Sequence, residues 1–296
     1  MMTTIKPWIL ASRPKTLFAG LSPVLMGLSL AYAYHPKINW PIAALTILCC
    51  LLMQVGTNLV NDYFDFAKGT DTHERIGPLR VTQAGLLSAS QVKRGYQVVL
   101  ALSFVIGIPL MITGGPVIIA IGIASLLGAY TYTGGPLPLS YLGLGEVMAL
   151  IFFGPVAVAG TFYLQTHTMH PAAIIYGLLP GFLSWSILAV NNLRDRDQDR
   201  KNHKKTLAVR TSEMGARLIV IFGVILSQVI SLNAFFNLNN NITLATLFVT
   251  ALFYKTWKKV LVGSIDGELN EVLAAIGKFL FLNCLIFSAG MVLAQR

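Results

Sequence analysis

An all-α, multispan membrane protein with nine transmembrane helices is the fold class this sequence predicts, on three observations. Only 11% of its 296 residues are charged, against roughly 25% in an ordinary soluble domain. The mean hydropathy is +0.67, and apolar stretches of membrane-spanning length recur along the whole chain. So few charges could not cover a water-soluble surface of this size, which excludes a soluble globular enzyme. A disordered, collagen-like or disulfide-stapled chain is excluded as well, because the 26 glycines have no triplet period and there are three cysteines. Cys49, Cys50 and Cys284 lie in apolar runs without metal-ligand spacing and read as small core residues.

Taken in order, windows of about 20 residues place the helices at 17–33, 41–61, 95–112, 117–132, 142–164, 172–191, 218–236, 242–256 and 272–293. The first is retained rather than removed as a signal peptide: Pro23 lies within it, no small-residue cleavage site precedes the polar turn at 35–39, and further spans follow. The loop between the fourth and fifth windows is rich in Gly and Pro, which makes a tight, shaped turn. The eighth window is short.

With a cytoplasmic N-terminus, 19 of the 22 lysines and arginines fall in inward-facing segments; the others are Lys37 and Arg296 outside and Lys278, which snorkels from the last span. This asymmetry predicts the N-terminus inside, the C-terminus outside and a functional rim facing the cytoplasm of a bacterial inner membrane. The net charge of +10 then needs no nucleic acid to explain it. All twelve acidic residues also fall on the inner side, although carboxylates contribute little to orientation.

Those carboxylates form two stripes. Asn58, Asp62 and Asp65 follow one another at i, i+4 and i+7 at the end of the second window, on one face of a helix. Asn191, Asp195 and Asp199 form a second stripe at the end of the sixth, Asn191 and Asp195 each 133 residues after Asn58 and Asp62. The common offset suggests one domain over 1–296 with an internal duplication, 1–135 against 136–260, plus a ninth helix. Converging carboxylates repel unless a cation sits between them. Mg2+ suits, since it takes one or two protein carboxylates and completes its shell with water and phosphate oxygens. Asn58 and Asn191 each add an oxygen without adding charge. A solvated helix end, with Arg194, Arg196 and Arg200 pairing locally with Asp195, Asp197 and Asp199, explains one stripe but not two copies.

A diphosphate held at a membrane rim implies a lipid diphosphate, its tail among the spans. Magnesium would make the diphosphate a better leaving group, and departure from an allylic carbon leaves a cation that needs a dry, aromatic-lined pocket. Tyr63, Phe64, Tyr130, Tyr132, Tyr141, Phe152 and Phe153 are placed to shield it. Candidate groups for an electron-rich acceptor are Arg13, Tyr130, Tyr132 and Tyr141. Glu146, an acidic residue inside an apolar run and apart from either stripe, reads as substrate-orienting, proton-handling or ion-paired. His167 and His170 face outward, away from the rim.

These residues resemble the UbiA superfamily of intramembrane prenyltransferases, most closely its 1,4-dihydroxy-2-naphthoate polyprenyltransferase branch, over nearly the whole chain. The first Asp-rich motif of that superfamily looks like Asn61-Asp62-Tyr-Phe-Asp65 followed by Asp71, and the second like Asp195-Arg-Asp-Gln-Asp199. The resemblance implies a Mg2+ and diphosphate site of Asn58, Asp62, Asp65, Asp71, Asn191, Asp195 and Asp199, with Lys68, Arg75, Arg80, Arg200 and Lys205 as diphosphate partners. The stretches 69–80, 132–146 and 205–209 carry the branch assignment. The Tyr-x-x-x-Lys-Arg-like element of the 4-hydroxybenzoate and haem-farnesylating branches is missing, since Tyr130-Thr-Tyr-Thr-Gly-Gly-Pro has no basic residue. The gap from Asp65 to Asp71 is also wider than the three residues common in the superfamily. The implied reaction joins C1 of a polyprenyl diphosphate to the ring carbon of 1,4-dihydroxy-2-naphthoate that bears the carboxylate. Loss of CO2 then gives demethylmenaquinol, with diphosphate released. The expected partners are those two substrates and the bilayer, with no nucleic acid and no obligate protein. Two alternatives stay open: the same fold acting on another acceptor such as 4-hydroxybenzoate, and a cation-coupled transporter, which would instead carry ionisable groups near mid-membrane.

Overall fold

The computed structural model describes residues 5–70, 76–238 and 240–293. Among them the chain is helical, with no strand. A short helix α1 (Ile5–Ser12) precedes α2 (Pro14–Tyr34) and α3 (Trp40–Ala67), whose N-terminus is capped by the Asn39 side chain accepting from the Ile42 amide. Twenty-eight residues of helix extend about 42 Å, longer than the hydrocarbon core is thick, so α3 carries Asn58, Asp62 and Asp65 out to a polar end.

The next helix, α4 (Ala89–Thr131), begins at a capping box of Ser88 and Gln91. Its backbone breaks at Gly115, φ 60 and ψ −150, a conformation reserved for glycine. There the helix doubles back: Tyr96 near its start and Tyr130 near its end both lie against the Phe64 ring, at centroid distances of 6.3 and 5.4 Å. Next come α5 (Gly145–Ile151), a π-helical turn at Phe152–Val156 and α6 (Ala157–Thr166), which together make one kinked span. The kink seats Gly154 on the backbone of α7 (Pro171–Arg194), where a Cβ would meet Gly181 Cα at 2.8 Å and the Gly177 carbonyl at 2.9 Å. Two short helices, α8 (Arg196–Lys201) and α9 (Leu207–Arg210), shape the polar end before α10 (Glu213–Leu238). After α10, α11 (Ala245–Leu252) and α12 (Tyr254–Val262) return the chain to the level of Arg217, which donates to the Val260 and Gly263 carbonyls. The last helix is α13 (Glu268–Leu293).

Seven helices among the described residues are long and apolar enough to cross a membrane, which corrects the nine separate helices expected. The third and fourth windows fall within α4, whose halves are continuous in hydropathy and parted only by a backbone reversal. The eighth is split at Phe253, and the latter half carries Lys255, Lys258 and Lys259. The largest core joins α2, α6, α7 and α13 through Met26, Leu30, Phe162, Leu179, Leu183, Phe279 and Phe287. A smaller one packs Leu59 and Val60 of α3 against Val81, Leu87, Val92 and Tyr96, and so pins the segment after α3 over its polar end.

Candidate active site

A cavity of about 1330 Å3 opens at the polar end and runs down among the helices. Its mouth is lined by Arg13, Asn58, Asp65, Arg80, Asn191, Asp195, Asp199 and Lys204, and its depth by Cys49, Met53, Leu110, Ile118, Phe152 and Leu164. One end is charged and the other apolar, the shape that a lipid with a polyanionic head requires.

The two stripes converge here because α3 and α7 both end at this level. Lys204 Nζ lies 3.5 Å from Asp65 Oδ1 and 3.7 Å from Asp199 Oδ1, so one carboxylate from each stripe shares a single ammonium. Arg80 adds a 2.6 Å pair to Asp65 Oδ2. On the second stripe the buried Arg194 holds Asp195 with two bonds of 2.7 Å and also donates to Asn191 Oδ1 and Asn270 Oδ1. Burial, reinforced by the Asp195 and Asp65 charges and only partly offset by Lys204, pushes the Asp199 carboxyl up to about 7. Burial alone would lower the Lys204 ammonium, but Asp65 and Asp199 outweigh it and hold it above its ordinary value.

Asp62 is placed differently. Its carboxylate accepts from the Val81 and Thr82 amides at 3.2 and 3.3 Å and from the Thr82 hydroxyl. It therefore fastens the segment that carries Arg80 instead of lining the cavity. Asn58 lines the cavity and donates to the Ser12 carbonyl and Thr16 Oγ1, at 2.9 and 3.0 Å, so its amide oxygen is not used in these bonds. The segments following α3 and α7 are joined by Gln198 Nε2 and Asn202 Nδ2, both donating to the Thr70 carbonyl.

Other expected residues divide. Arg13 and Tyr132 line the cavity. Tyr130 is outside it, edge-on to Phe64. Tyr141 also stands back from the wall and presents its ring to Lys68 at 4.7 Å and to Lys204 at 5.0 Å, supporting both cations. Lys68 donates to the Thr133 carbonyl at 2.6 Å. Glu146 is 1% exposed and accepts from Asn192 Nδ2 at 2.9 Å, so it reaches the cavity only through Asn192. Arg200 points outward toward Asp197 at 3.9 Å, and Lys205 is exposed away from the cavity, its main chain bonded to Tyr141 and Arg210. Asp71 and Arg75 lie outside the described residues.

Lys204 and Arg194 are the residues that spacing missed. Lys204 is five residues beyond Asp199, off its helix face; α8 stops at Lys201, and His203 at φ 57 turns the chain so that the Lys204 amide bonds back to the Asp199 carbonyl. The only available signal was the end of helical character at Asn202-His203. Arg194 lies three residues after Asn191 and one before Asp195; its local pairing with Asp195 is expected from the sequence, but not its further hold on Asn191 and Asn270.

No group of three or more His, Cys, Asp or Glu close enough to hold a metal by themselves occurs among the described residues. The donor set nevertheless fits a hard divalent ion that shares its shell with phosphate oxygens: Asp65, Asp195, Asp199, Asn58 and Asn191 offer oxygens to one space, and a lysine ammonium already sits between two of them.

Residues 20–268 match the UbiA prenyltransferase family. The chain is similar to the 1,4-dihydroxy-2-naphthoate octaprenyltransferase of Haemophilus influenzae, 36% identical over 98% of this chain and 96% of that one. The enzyme of the same name from Escherichia coli is 37% identical over 71% of this chain and 70% of its own. Among solved structures, an apo UbiA homolog from Aeropyrum pernix has the same fold, with a TM-score of 0.71 at 13% identity over 95% of this chain and 98% of that one. So does a UbiA homolog from Archaeoglobus fulgidus bound to DMAPP and Mg2+, with a TM-score of 0.63 at 17% identity over 96% and 98%.

Proposed function

The chain belongs to the UbiA prenyltransferase family, and on that premise we propose that it transfers a polyprenyl group from a polyprenyl diphosphate to 1,4-dihydroxy-2-naphthoate, releasing diphosphate and CO2 and leaving demethylmenaquinol. The bacterial naphthoate enzymes it resembles support the acceptor. One observation carries the chemistry: two acidic helix ends meet across a single lysine at the polar mouth of a cavity whose depth is apolar.

The diphosphate lies at the mouth, where Arg80 and Lys204 donate to its oxygens and Lys204 gives up its carboxylates to do so. Asp65, Asp195 and Asp199, with the oxygens of Asn58 and Asn191, would hold Mg2+, and Arg194 fixes the second stripe in position. Bound there, the ion would supply neutralisation of the charge on a departing diphosphate. Asp62 keeps the segment at Val81 and Thr82 fastened, so that Arg80 stays aimed at the mouth. The allylic cation forms below, where Phe152 and Tyr132 line the wall and their rings can shield it. Its C1 is captured by the ring carbon of the acceptor, and carboxylate loss restores aromaticity. Glu146 orients Asn192 on the cavity wall.

For the topology, we propose nine crossings, α4 contributing two and α11 with α12 one, with the N-terminus and the polar mouth in the cytoplasm and the C-terminus outside the inner membrane. The excess of lysine and arginine at the mouth side supports this orientation. The equal offset of Asn58 to Asn191 and Asp62 to Asp195 supports a single, internally duplicated domain, 1–135 and 136–260 plus the last helix.

The test uses membranes containing the protein, Mg2+, a labelled polyprenyl diphosphate and a panel of aromatic acids. Transfer to dihydroxynaphthoate with CO2 release and strict Mg2+ dependence is the expected result. Preferential use of 4-hydroxybenzoate would overturn the acceptor, and indifference to chelator would overturn the mechanism.

A further inference from the structure

Two lysines on the cavity wall take no part at the diphosphate end. Lys15 is in the first turn of α2, and Lys278 stands ten residues into α13, about 15 Å along the helix and beyond the reach of its own side chain back to the helix start. Both line the cavity, both are exposed, and neither has a hydrogen bond or ion pair among the described residues. Three residues beyond each lysine is a phenylalanine. Phe18 and Phe281 also line the cavity and meet edge to face, centroids 5.4 Å apart with planes at 68°.

The helices run in the same direction. α2 starts at the polar end, where Asn58 bonds Ser12 and Thr16, and α13 starts there too, where Asn270 meets Arg194. With the phenylalanines paired, equal i, i+3 steps put both lysine positions about a turn nearer the mouth than the rings. An unneutralised ammonium inside a span, as at Lys278, is costly unless it meets an anion. An apolar ring pair immediately below the lysines calls for a planar apolar body attached to that anion. A prenyl diphosphate matches poorly, because its charge belongs with Arg80 and Lys204 and its tail needs no cation.

We propose that Lys15, Lys278, Phe18 and Phe281 form the seat of an aromatic carboxylate, the acceptor, with its carboxylate between the two ammoniums and its ring against the phenylalanines. This rests on the prenyl-transfer reading above; of its four acceptor candidates Arg13 and Tyr132 line the same cavity, while Tyr130 and Tyr141 stand outside it. The seat lies beside the reacting end of the prenyl chain, level with the Asn58 end of the first stripe.

Binding to the full-length protein in nanodiscs tests it, using the fluorescence of 1-hydroxy-2-naphthoate, with 1-naphthol as its uncharged counterpart and Mg2+-farnesyl diphosphate as the diphosphate probe. Lys15→Met and Lys278→Met should each weaken naphthoate binding by about tenfold, the worth of one charge-assisted contact. Lys278→Arg should restore most of it. Naphthol and farnesyl diphosphate affinities should stay within about twofold, which also shows that the variants are folded. Naphthoate binding indifferent to both lysines would overturn the seat, as would a fall in farnesyl diphosphate affinity instead, or wild-type binding to neither acid. If 4-hydroxybenzoate binds in place of naphthoate with the same dependence on both lysines, the seat stands and the naphthoate acceptor falls. If naphthoate is prenylated normally by both methionine variants, the seat falls and the function stands.

Discussion

Replacing Asp199 by Asn should stabilise the metal-free protein, and more so as the pH rises. The Asp199 carboxyl titrates at about 7 in the folded chain, against an ordinary value of 3.8, chiefly because it is buried. Between those values the folded state binds a proton that the unfolded state has released, so stability falls as the pH rises and stops falling above about 7. The difference of roughly three pH units corresponds to about 4 kcal/mol at 1.36 kcal/mol per unit. Just under half of it, about 2 kcal/mol, accrues between pH 5.5 and 8. Asn keeps the shape and carries no charge, so Asp199→Asn escapes this loss. Thermal melts of detergent-solubilised wild type and variant, at pH 5.5 and pH 8 in the presence of chelator, should show the variant's advantage growing by about 2 kcal/mol, or about 4 °C for a chain of this size. Mg2+ with a prenyl diphosphate should close the gap by stabilising only the wild type. An advantage equal at both pH values, or none at pH 8, would refute the placement of Asp199 as a buried, under-neutralised carboxylate.

Lys204→Gln should lower kcat/KM by about a hundredfold, as expected for a buried cation serving two carboxylates and a diphosphate, while Lys205→Gln and Arg200→Ala stay within about threefold; steady-state kinetics on the three variants reverses the ranking if spacing is the better guide. Thr82→Val removes a donor from the buried Asp62 and loosens the Arg80 segment, so KM for the prenyl diphosphate should rise about fivefold, equivalent to roughly 1 kcal/mol, with the melting profile little changed. Gly115→Ala meets no atom within 4 Å, so its cost is purely conformational. It should destabilise the protein by about 1–3 kcal/mol, measured as denaturant resistance in micelles, with kcat/KM unaltered in the protein that remains folded.

Hydropathy located the helices because a span must be apolar throughout, and the gap between the windows 95–112 and 117–132 fell where Gly115 turns the backbone of α4. The stripes were legible because α3 and α7 are regular helices whose faces follow from 100° per residue. That rule gave the line Asn58, Asp62 and Asp65, but not the reach of a neighbouring strandless segment, so it could not foresee Val81 and Thr82 occupying Asp62. Beyond Lys201 the helix ends, and the residue whose ammonium lies between the two stripes is Lys204, the neighbour of the Lys205 that the resemblance implied. Tyr141 was visible as an aromatic near the rim, yet its cation-bearing role depends on two lysines 73 and 63 residues away in sequence.

The bonds from Gln198 and Asn202 to the Thr70 carbonyl set an order of events in the making of this protein. Thr70 leaves the ribosome 128 residues ahead of Gln198 and 132 ahead of Asn202, by which time α2 to α7 have been synthesised. The first acidic end must wait, already inserted, for its partner to emerge before its carbonyl is satisfied and Lys204 can settle between the halves. A nascent chain arrested before Asn202 therefore carries a mouth without its clasp, and assembly of the reaction centre belongs to the final third of translation.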